Sequence, residues 1–396
     1  MERSELVELL TADGLRLLDS LPPYPSKDEA VRLVGRLRSE GHSPSLVAAV
    51  LTQARLRSKG VAKFGPFAER MLFTEAGLEQ ATRLSVAALH AGRFAQAGLR
   101  RVADLGCGIG ADAMAMASLD LEVTAVEIDE VTAAITSYNL APFPTATVRN
   151  EPAEDVDLSG FDAVYFDPAR RTAGHGNTSR LTDAADYTPS LDVVWRASAI
   201  LPTGVKLGPG FDRSLIPPAA EAQWVSVDGQ LVEMGLWFGV LARPGIRRSA
   251  LVLGADGSHE LHAEADVDDV PVRPLGEYVF EPDGTVIRAR LIGMLAERLG
   301  AGMLGSGIAY LTGDEAPSTP FATAFRVLER LPMDEKTLKR TMKARGIGVL
   351  EIKKRGVEVD PAALRRRLGL KGPNSATVIL TRVDGKHTAL LVERVA

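Results

Sequence analysis

The sequence predicts an α/β protein built on a Rossmann-like sheet that ends in one antiparallel strand. A helical N-terminal domain precedes the sheet and a small α+β domain follows it. Three observations predict this. From residue 99 onward, short apolar runs alternate with amphipathic stretches, as in a parallel sheet covered by helices on both faces. The run from Val102 to Gly110 joins one such strand to a helix through closely spaced glycines. Residues 222–239 read as two strands around Asp228-Gly229, a pair suited to the positive φ angles of a tight hairpin turn.

Residues 1–95 carry apolar positions at helical spacing: Leu6, Leu9 and Leu10, then Val31, Val34 and Leu37, then Leu46, Val50 and Leu51. Proline- and glycine-containing turns at 22–26 and 41–45 divide three short helices, with Ser26 and Ser43 as caps. Strands are expected at 99–105, 121–128, 146–150, 161–167 and 204–208, and helices beginning near Gly110, Glu130 and Tyr187. The segment from 246 adds a hairpin at 251–264, helices around 286–300 and 334–345, and a last hairpin at 376–395. The expected boundaries are 1–95, 96–245 and 246–396.

With 396 residues, 45% of them hydrophobic, the chain has apolar material for more than one core. Its one cysteine, Cys107, excludes an internal disulfide framework and suits a reducing compartment, so the expected location is cytoplasmic. Charges interrupt the N-terminal segment, and no stretch approaches the roughly 18 to 20 apolar residues of a membrane span. His259 and His262 stand without cysteines on a hairpin, and no metal is expected. The net charge of −5 hides an uneven distribution: residues 331–396 hold 15 Lys and Arg against 7 Asp and Glu, an excess of 8. Lys336, Lys339, Arg340 and Lys343 share one helix, Lys353, Lys354 and Arg355 follow a strand, and Arg365, Arg366 and Arg367 sit in another helix. These are either solvated faces or contacts to an anionic partner such as RNA.

Within the glycine loop, Asp104 stands two residues before Gly106. A carboxylate there suits a ligand with an ammonium group, as S-adenosylmethionine has, and would repel a pyrophosphate. Gly106, Cys107, Gly108 and Gly110 supply close backbone approach, and Ala111 stands where a dinucleotide fingerprint continues toward a third glycine. Glu127, 17 residues after Gly110 at the end of the second strand, suits both ribose hydroxyls, with Ile128 beside it. Asp129 reads instead as a helix cap. Glu151 and Asn150 are equal candidates for the adenine amino group.

The fourth strand ends in Asp167-Pro168-Ala169-Arg170-Arg171 at the sheet edge where open α/β proteins bind ligands. This resembles the D-P-P-aromatic motif of amino-methyltransferases, in which the acid and the following carbonyl hold the target amine and a ring stacks on the base. Here the ring is missing. Arg170 and Arg171 are candidate substrate contacts, by stacking or by gripping a phosphate. Asp167 counts for both the acceptor and the cofactor. Methylation at pyrimidine carbon 5 would need a cysteine nucleophile, and Cys107 sits in the wrong loop. A ribose-methylating class uses the order K-D-K-E, and Lys63, Asp167, Lys206 and Glu233 fall in a compatible order. The segment 171–187, with His175 and Asn177, is long for a strand-to-helix connection and suits a loop over the substrate.

Taken with residues 51–65, 73–94, 102–113, 166–171, 206–212, 311–325 and 337–372, these features resemble the bacterial class I S-adenosylmethionine-dependent methyltransferases that carry a THUMP-like C-terminal domain. The resemblance covers nearly the whole chain. It implies cofactor binding by Asp104, Gly106, Gly108 and Glu127, and a pocket faced by Phe73, Thr74, Gln80 and Thr82. The expected function is methyl transfer to RNA, to a base amine ahead of a ribose. The alternatives are a small-molecule or protein methyltransferase, or an RNA-binding protein that keeps the cofactor pocket without turnover.

Overall fold

The computed structural model describes residues 1–21, 27–170 and 187–395. The chain divides into two compact units, Met1–Leu207 with Leu236–Ala242, and Gly208–Gly235 with Arg243–Ala396.

The first unit opens with α1 (Arg3–Leu9), α2 (Ala12–Ser20), α3 (Lys27–Ser39), α4 (Pro44–Phe64), α5 (Glu75–Gln80) and α6 (Leu84–Gln96). Where the sequence suggested one helix before the proline-rich turn, there are two, because the Thr11 hydroxyl accepts from Gly14 N at 3.1 Å and starts a new helix. Ser43 caps α4 as expected, accepting from Leu46 N at 3.1 Å; Ser26 lies outside the described residues. In α3 the core-facing residues are Leu33 and Leu37, while Val31 is exposed, so the apolar stripe is rotated from the expected one.

Next come β1 (Arg101–Leu105), α7 (Ala111–Ala117), β2 (Glu122–Val126), α8 (Glu130–Leu140), β3 (Ala146–Arg149), β4 (Ala163–Phe166), β5 (Ala169–Arg170), β6 (Tyr187–Thr188), α9 (Leu191–Ser198) and β7 (Thr203–Leu207). β1 pairs in parallel with both β2 and β4, β2 with β3, and β4 with β7. All four β4 residues are buried, as a strand covered on both faces requires. The helix expected near Tyr187 begins at Leu191 instead: Pro189 keeps Thr188 extended, and Thr188 pairs with Ala169. Leu6, Val50, Phe64 and Phe94 of the N-terminal helices share one core with Met116, Ile135, Tyr165 and Trp237.

The strand β9 (Gln230–Phe238) follows β8 (Glu221–Val227) through a turn with φ of 50° at Asp228 and 73° at Gly229, and its last residues belong to the first unit, beside β7. This is the hairpin expected from the sequence, and it sets β9 between β8 and β7.

In the second unit β8 pairs in parallel with β10 (Arg248–Gly254), which forms a hairpin with β11 (Gly257–Ala263). A seven-stranded sheet follows, made of β12 (Tyr278–Pro282), β13 (Gly302–Gly305), β14 (Ile308–Gly313), β15 (Ala322–Pro332), β16 (Ile347–Lys354), β17 (Asn374–Val383) and β18 (Lys386–Arg394) in the order β13-β14-β12-β15-β18-β17-β16. The helix expected at 286–300 is two, α10 (Gly284–Arg288) and α11 (Ile292–Leu299), separated at Arg290, whose φ is 60°. The helices α12 (Glu335–Ala344) and α13 (Pro361–Leu368) bury Leu338, Met342, Leu364 and Leu368 on one face of the sheet. Val279, Tyr310, Phe325, Ile379 and Leu390 form the core of the other. Among the described residues no helix is long and apolar enough to cross a membrane.

Candidate active site

The glycine loop turns between β1 and α7 with three left-handed residues, Gly106 (φ 82°), Gly108 (φ 56°) and Gly110 (φ 85°). Only glycine adopts these angles readily, and at two positions space decides as well. A Cβ on Gly106 would lie 3.2 Å from the Asp167 carbonyl oxygen, and one on Gly110 3.0 Å from Thr136. A Cβ on Gly108 would meet nothing within 4 Å, so there the loop borders open space. Gly106 N and Cys107 N donate to the Val126 carbonyl at 2.9 and 3.0 Å, which ties the loop to the end of β2. Cys107 is buried, and burial, with Asp104 and Glu127 nearby, pushes its thiol well above the ordinary range, so it stays protonated.

Asp104, on β1, is 1% exposed, and no side chain among the described residues donates a hydrogen bond to its carboxylate; the Ala113 backbone N–H bears on it weakly. Burial raises its pKa well above normal, Asp112 and Asp167 raise it further, and Lys206 and the Ala113 backbone N–H only partly oppose them. A buried carboxylate so poorly compensated is costly, so its persistence fits a site completed by a cationic ligand. Glu127 accepts from Gly108 N at 3.1 Å and from Asp129 N at 3.0 Å. Burial raises its pKa against the pull of these amides. Ile128 beside it is 58% exposed, an apolar surface next to an acid that faces the loop. Asp129 caps α8 through Thr132 N at 2.8 Å, as expected. The chemistry of this set, a poorly compensated buried carboxylate, a second carboxylate and an open glycine cradle, fits S-adenosylmethionine.

Asp167 follows β4 and pairs with Lys206 Nζ at 2.5 Å. Lys206, from β7, also donates to Gln80 O at 3.2 Å and Thr82 Oγ1 at 3.0 Å. Lys63, from α4, donates to Glu79 O and Ala81 O, both at 2.7 Å. The two lysines therefore grip the end of α5 and the two residues that follow it. Burial, together with Lys206 and Arg83, lowers Lys63 to about 8. Behind this edge the Thr82 hydroxyl donates to Asp112 at 2.6 Å, His90 Nδ1 lies 2.8 Å from Asp112, and the Tyr165 hydroxyl lies 3.0 Å from His90. Burial alone would raise Asp112; the hydrogen bond and charge of His90, with Lys206 and Thr82, outweigh it and hold the carboxyl low.

The structure thus gathers Asp104, Gly106, Cys107, Gly108, Gly110, Glu127 and Ile128 at one sheet edge, and Asp167, Pro168 and Lys206 beside it. Thr74 caps α5 through Gly77 N at 2.9 Å, and a Cβ on Gly77 would lie 2.5 Å from Ile109, which places this turn against the glycine loop. Thr82 spends its hydroxyl inside the protein, and Gln80 contributes its carbonyl. Phe73 is fully buried against Phe64, with ring centroids 5.7 Å apart, in the core rather than at a pocket surface. Asn150 donates to the Glu127 and Ile128 carbonyls at 2.8 and 3.0 Å; the Glu151 carboxylate lies 3.7 Å from Arg149. Arg171, His175 and Asn177 lie outside the described residues, as does the side chain of Arg170. Glu233 belongs to the second unit.

In that unit the three consecutive cations do not form one patch. Lys353 pairs with Glu281 at 2.6 Å and lies over the Phe325 ring at 5.5 Å; Arg355 lies 4.0 Å from Glu281 and over Tyr310 at 5.3 Å. Lys354, on the other side of the chain, is exposed. Sequence reasoning missed Gln53 and Asn139. The Gln53 amide clasps Phe73 N and O at 3.0 and 2.8 Å, and Asn139 joins Leu72 to Ile109 of the glycine loop through bonds of 2.8 to 3.1 Å. Their one sequence signal is a polar residue on an apolar helix face.

A family model described as THUMP domain-like matches residues 322–394, and one described as a domain of unknown function matches 2–60. Uncharacterized S-adenosylmethionine-dependent methyltransferases of Mycobacterium tuberculosis, strains CDC 1551 / Oshkosh and H37Rv, are 35% identical over 365 residues, covering 88% of this chain and 95% of theirs. The crystal structure of a candidate methyltransferase from Porphyromonas gingivalis W83 superposes with a TM-score of 0.73 at 21% identity over 100% of this chain and 99% of that one, so the fold is shared along the whole length. With a relative this similar over nearly its full length, the chain belongs to the S-adenosylmethionine-dependent methyltransferases.

Proposed function

We propose that this methyltransferase acts on RNA, which a basic surface on its THUMP domain-like segment holds. The observation that carries the reading is the arrangement of α12 and α13. Lys336, Arg340 and Lys343 are exposed and recur at i, i+4 and i+7, opposite the buried Leu338 and Met342. Arg366 is exposed on the adjoining helix, which Arg367 ties to Glu335 at 2.8 Å. These cations outnumber the acids beside them, Asp334, Glu335 and Asp360, and such an excess on one exposed face suits a phosphate backbone. The THUMP domain-like match at 322–394 contains all four.

Asp104 would hold the cofactor's ammonium, Glu127 its ribose hydroxyls, and Ile128 with Asn150 or Glu151 its adenine, while Gly106, Cys107, Gly108 and Gly110 give the backbone close approach. Thr74, Gln80 and Thr82 would shape the near wall. The bound cofactor supplies a methyl group already activated on a sulfonium. What remains for the chain is to exclude water and bring the acceptor into line, which Asp167 and Pro168, with Arg170, Arg171 and Lys206, would do. In this division of labour residues 1–95 and 246–396 position the RNA, 96–245 bind the cofactor, and the work is done in the cytoplasm.

Fluorescence anisotropy with labelled transfer and ribosomal RNA fragments tests the reading. Reversing Lys336, Arg340 and Lys343 to Glu is expected to weaken binding at least about tenfold and to flatten the salt dependence by about 2 to 3 in log–log slope. Reversing the acid-paired Lys353 and Arg355 is expected to do less. Undiminished binding in the helix variant sinks the RNA reading.

A further inference from the structure

The sequence order Lys63, Asp167, Lys206 left open whether it was a coincidence of spacing. In the structure the three come from α4, from the end of β4 and from β7, and they converge. Lys63 holds Glu79 O and Ala81 O, Lys206 holds Gln80 O and Thr82 Oγ1, and Lys206 closes on Asp167 at 2.5 Å. Alternating residues of one segment are thus fastened by two amines at the edge where the acceptor must arrive. An exocyclic amine presents N–H groups and wants acceptors and a stacking ring. The motif here has lost the ring, and its carboxylate is paired with a cation.

We propose that Lys63, Lys206 and Asp167 activate a hydroxyl, so that the methyl acceptor in RNA is the ribose 2′-oxygen rather than a base amine. This rests on the RNA reading above and names its acceptor. The Asp167–Lys206 pair orients the hydroxyl, and Lys63 takes its proton. As a neutral amine Lys63 has two N–H groups, one for each of its two carbonyl partners, which leaves its lone pair for that proton. The charged groups that bear on it are Lys206 and Arg83, which favour the neutral form along with burial, and Glu79 and Asp167, which oppose it; the balance stands at about 8. In the transfer the acceptor oxygen bonds to the methyl carbon, the carbon–sulfur bond breaks with its electron pair on sulfur, and the hydroxyl proton ends on Lys63 Nζ and later passes to water.

The experiment uses the full chain, S-adenosylmethionine with a tritiated methyl, and ribosomal and transfer RNA from a strain lacking the gene, followed by digestion to nucleosides. The expected result is label in ribose-methylated nucleosides, at a rate that rises with pH through about 8. Lys63→Arg keeps a cation and its donors but cannot take a proton, so it should lose at least about 100-fold in rate and the pH dependence with it. Its calorimetric affinity for S-adenosylmethionine should match that of the unaltered protein, which also shows that the variant folds. Label in a base overturns the hydroxyl acceptor and leaves the RNA reading standing. Label in no RNA overturns both. Ribose methylation that survives Lys63→Arg overturns the role of Lys63.

Discussion

Arg243→Ala is expected to destabilise the second unit by about 3 to 5 kcal/mol, the range seen when one partner of a buried ion pair is removed. Glu221 is fully buried, and Arg243 meets it with Nη2 at 2.6 Å, Nε at 3.0 Å and its own backbone N–H at 2.8 Å. The same guanidinium reaches Glu260 at 2.6 and 2.7 Å, where Gln223 and Ser249 also donate, at 2.6 and 2.5 Å. Truncation takes from the buried Glu221 carboxylate the guanidinium that meets it at 2.6 and 3.0 Å. Burial would raise Glu260, but Arg243, Ser249 and Gln223 outweigh it and hold its pKa at about 2. Its folded pKa is therefore depressed, and its contribution is complete above the unfolded value and lost as pH falls through about 2. Urea unfolding at pH 7 and again near pH 3 should show the variant's deficit narrowing at the lower pH. Arg330→Ala, which breaks an exposed pair with Asp384, should cost under about 1 kcal/mol and serves as the control.

Asp104→Asn is expected to move stability and binding in opposite directions. The carboxyl pKa is raised in the folded protein, so its charge weighs on folding as pH rises above the unfolded carboxylate value. Removing the charge should raise the unfolding midpoint of the cofactor-free protein at pH 7 to 8, by an amount that shrinks toward pH 4. The same change deletes the anion proposed to meet the cofactor's ammonium, an interaction worth about 1.5 to 3 kcal/mol, so affinity should fall about 10- to 150-fold. A variant that is destabilised at pH 8, or that binds normally, would show that Asp104 has another partner.

The sheet was legible because its two signals are local. A strand that must be buried on both faces is an unbroken apolar run, and the loop after β1 needs glycine at Gly106, Gly108 and Gly110 whatever surrounds it. Asp104, Glu127 and Asp167 were readable as site candidates for the same reason, since strand ends in a parallel sheet converge on one edge. The hidden part lies in pairings between distant segments. Nothing local marks Asn139 as the clamp on Leu72 and Ile109, or His90 and Asp112 as partners. The cations of β16 were misleading in a different way: Lys353 and Arg355 share a face with Glu281 and two aromatic rings, while Lys354 points the other way, an alternation that composition does not weigh. The helix expected at Tyr187 started late because a short strand pair and a proline intervene, a tertiary effect.

Calorimetric titration of the purified protein with S-adenosylmethionine and, separately, with NADH tests the site most directly, repeated on Glu127→Ala and Asp104→Asn. Saturable binding of S-adenosylmethionine that weakens sharply in both variants, with none for NADH, is the predicted result. Binding of NADH in preference, or S-adenosylmethionine affinity untouched by both substitutions, would contradict the assignment of these carboxylates and of the pocket they define.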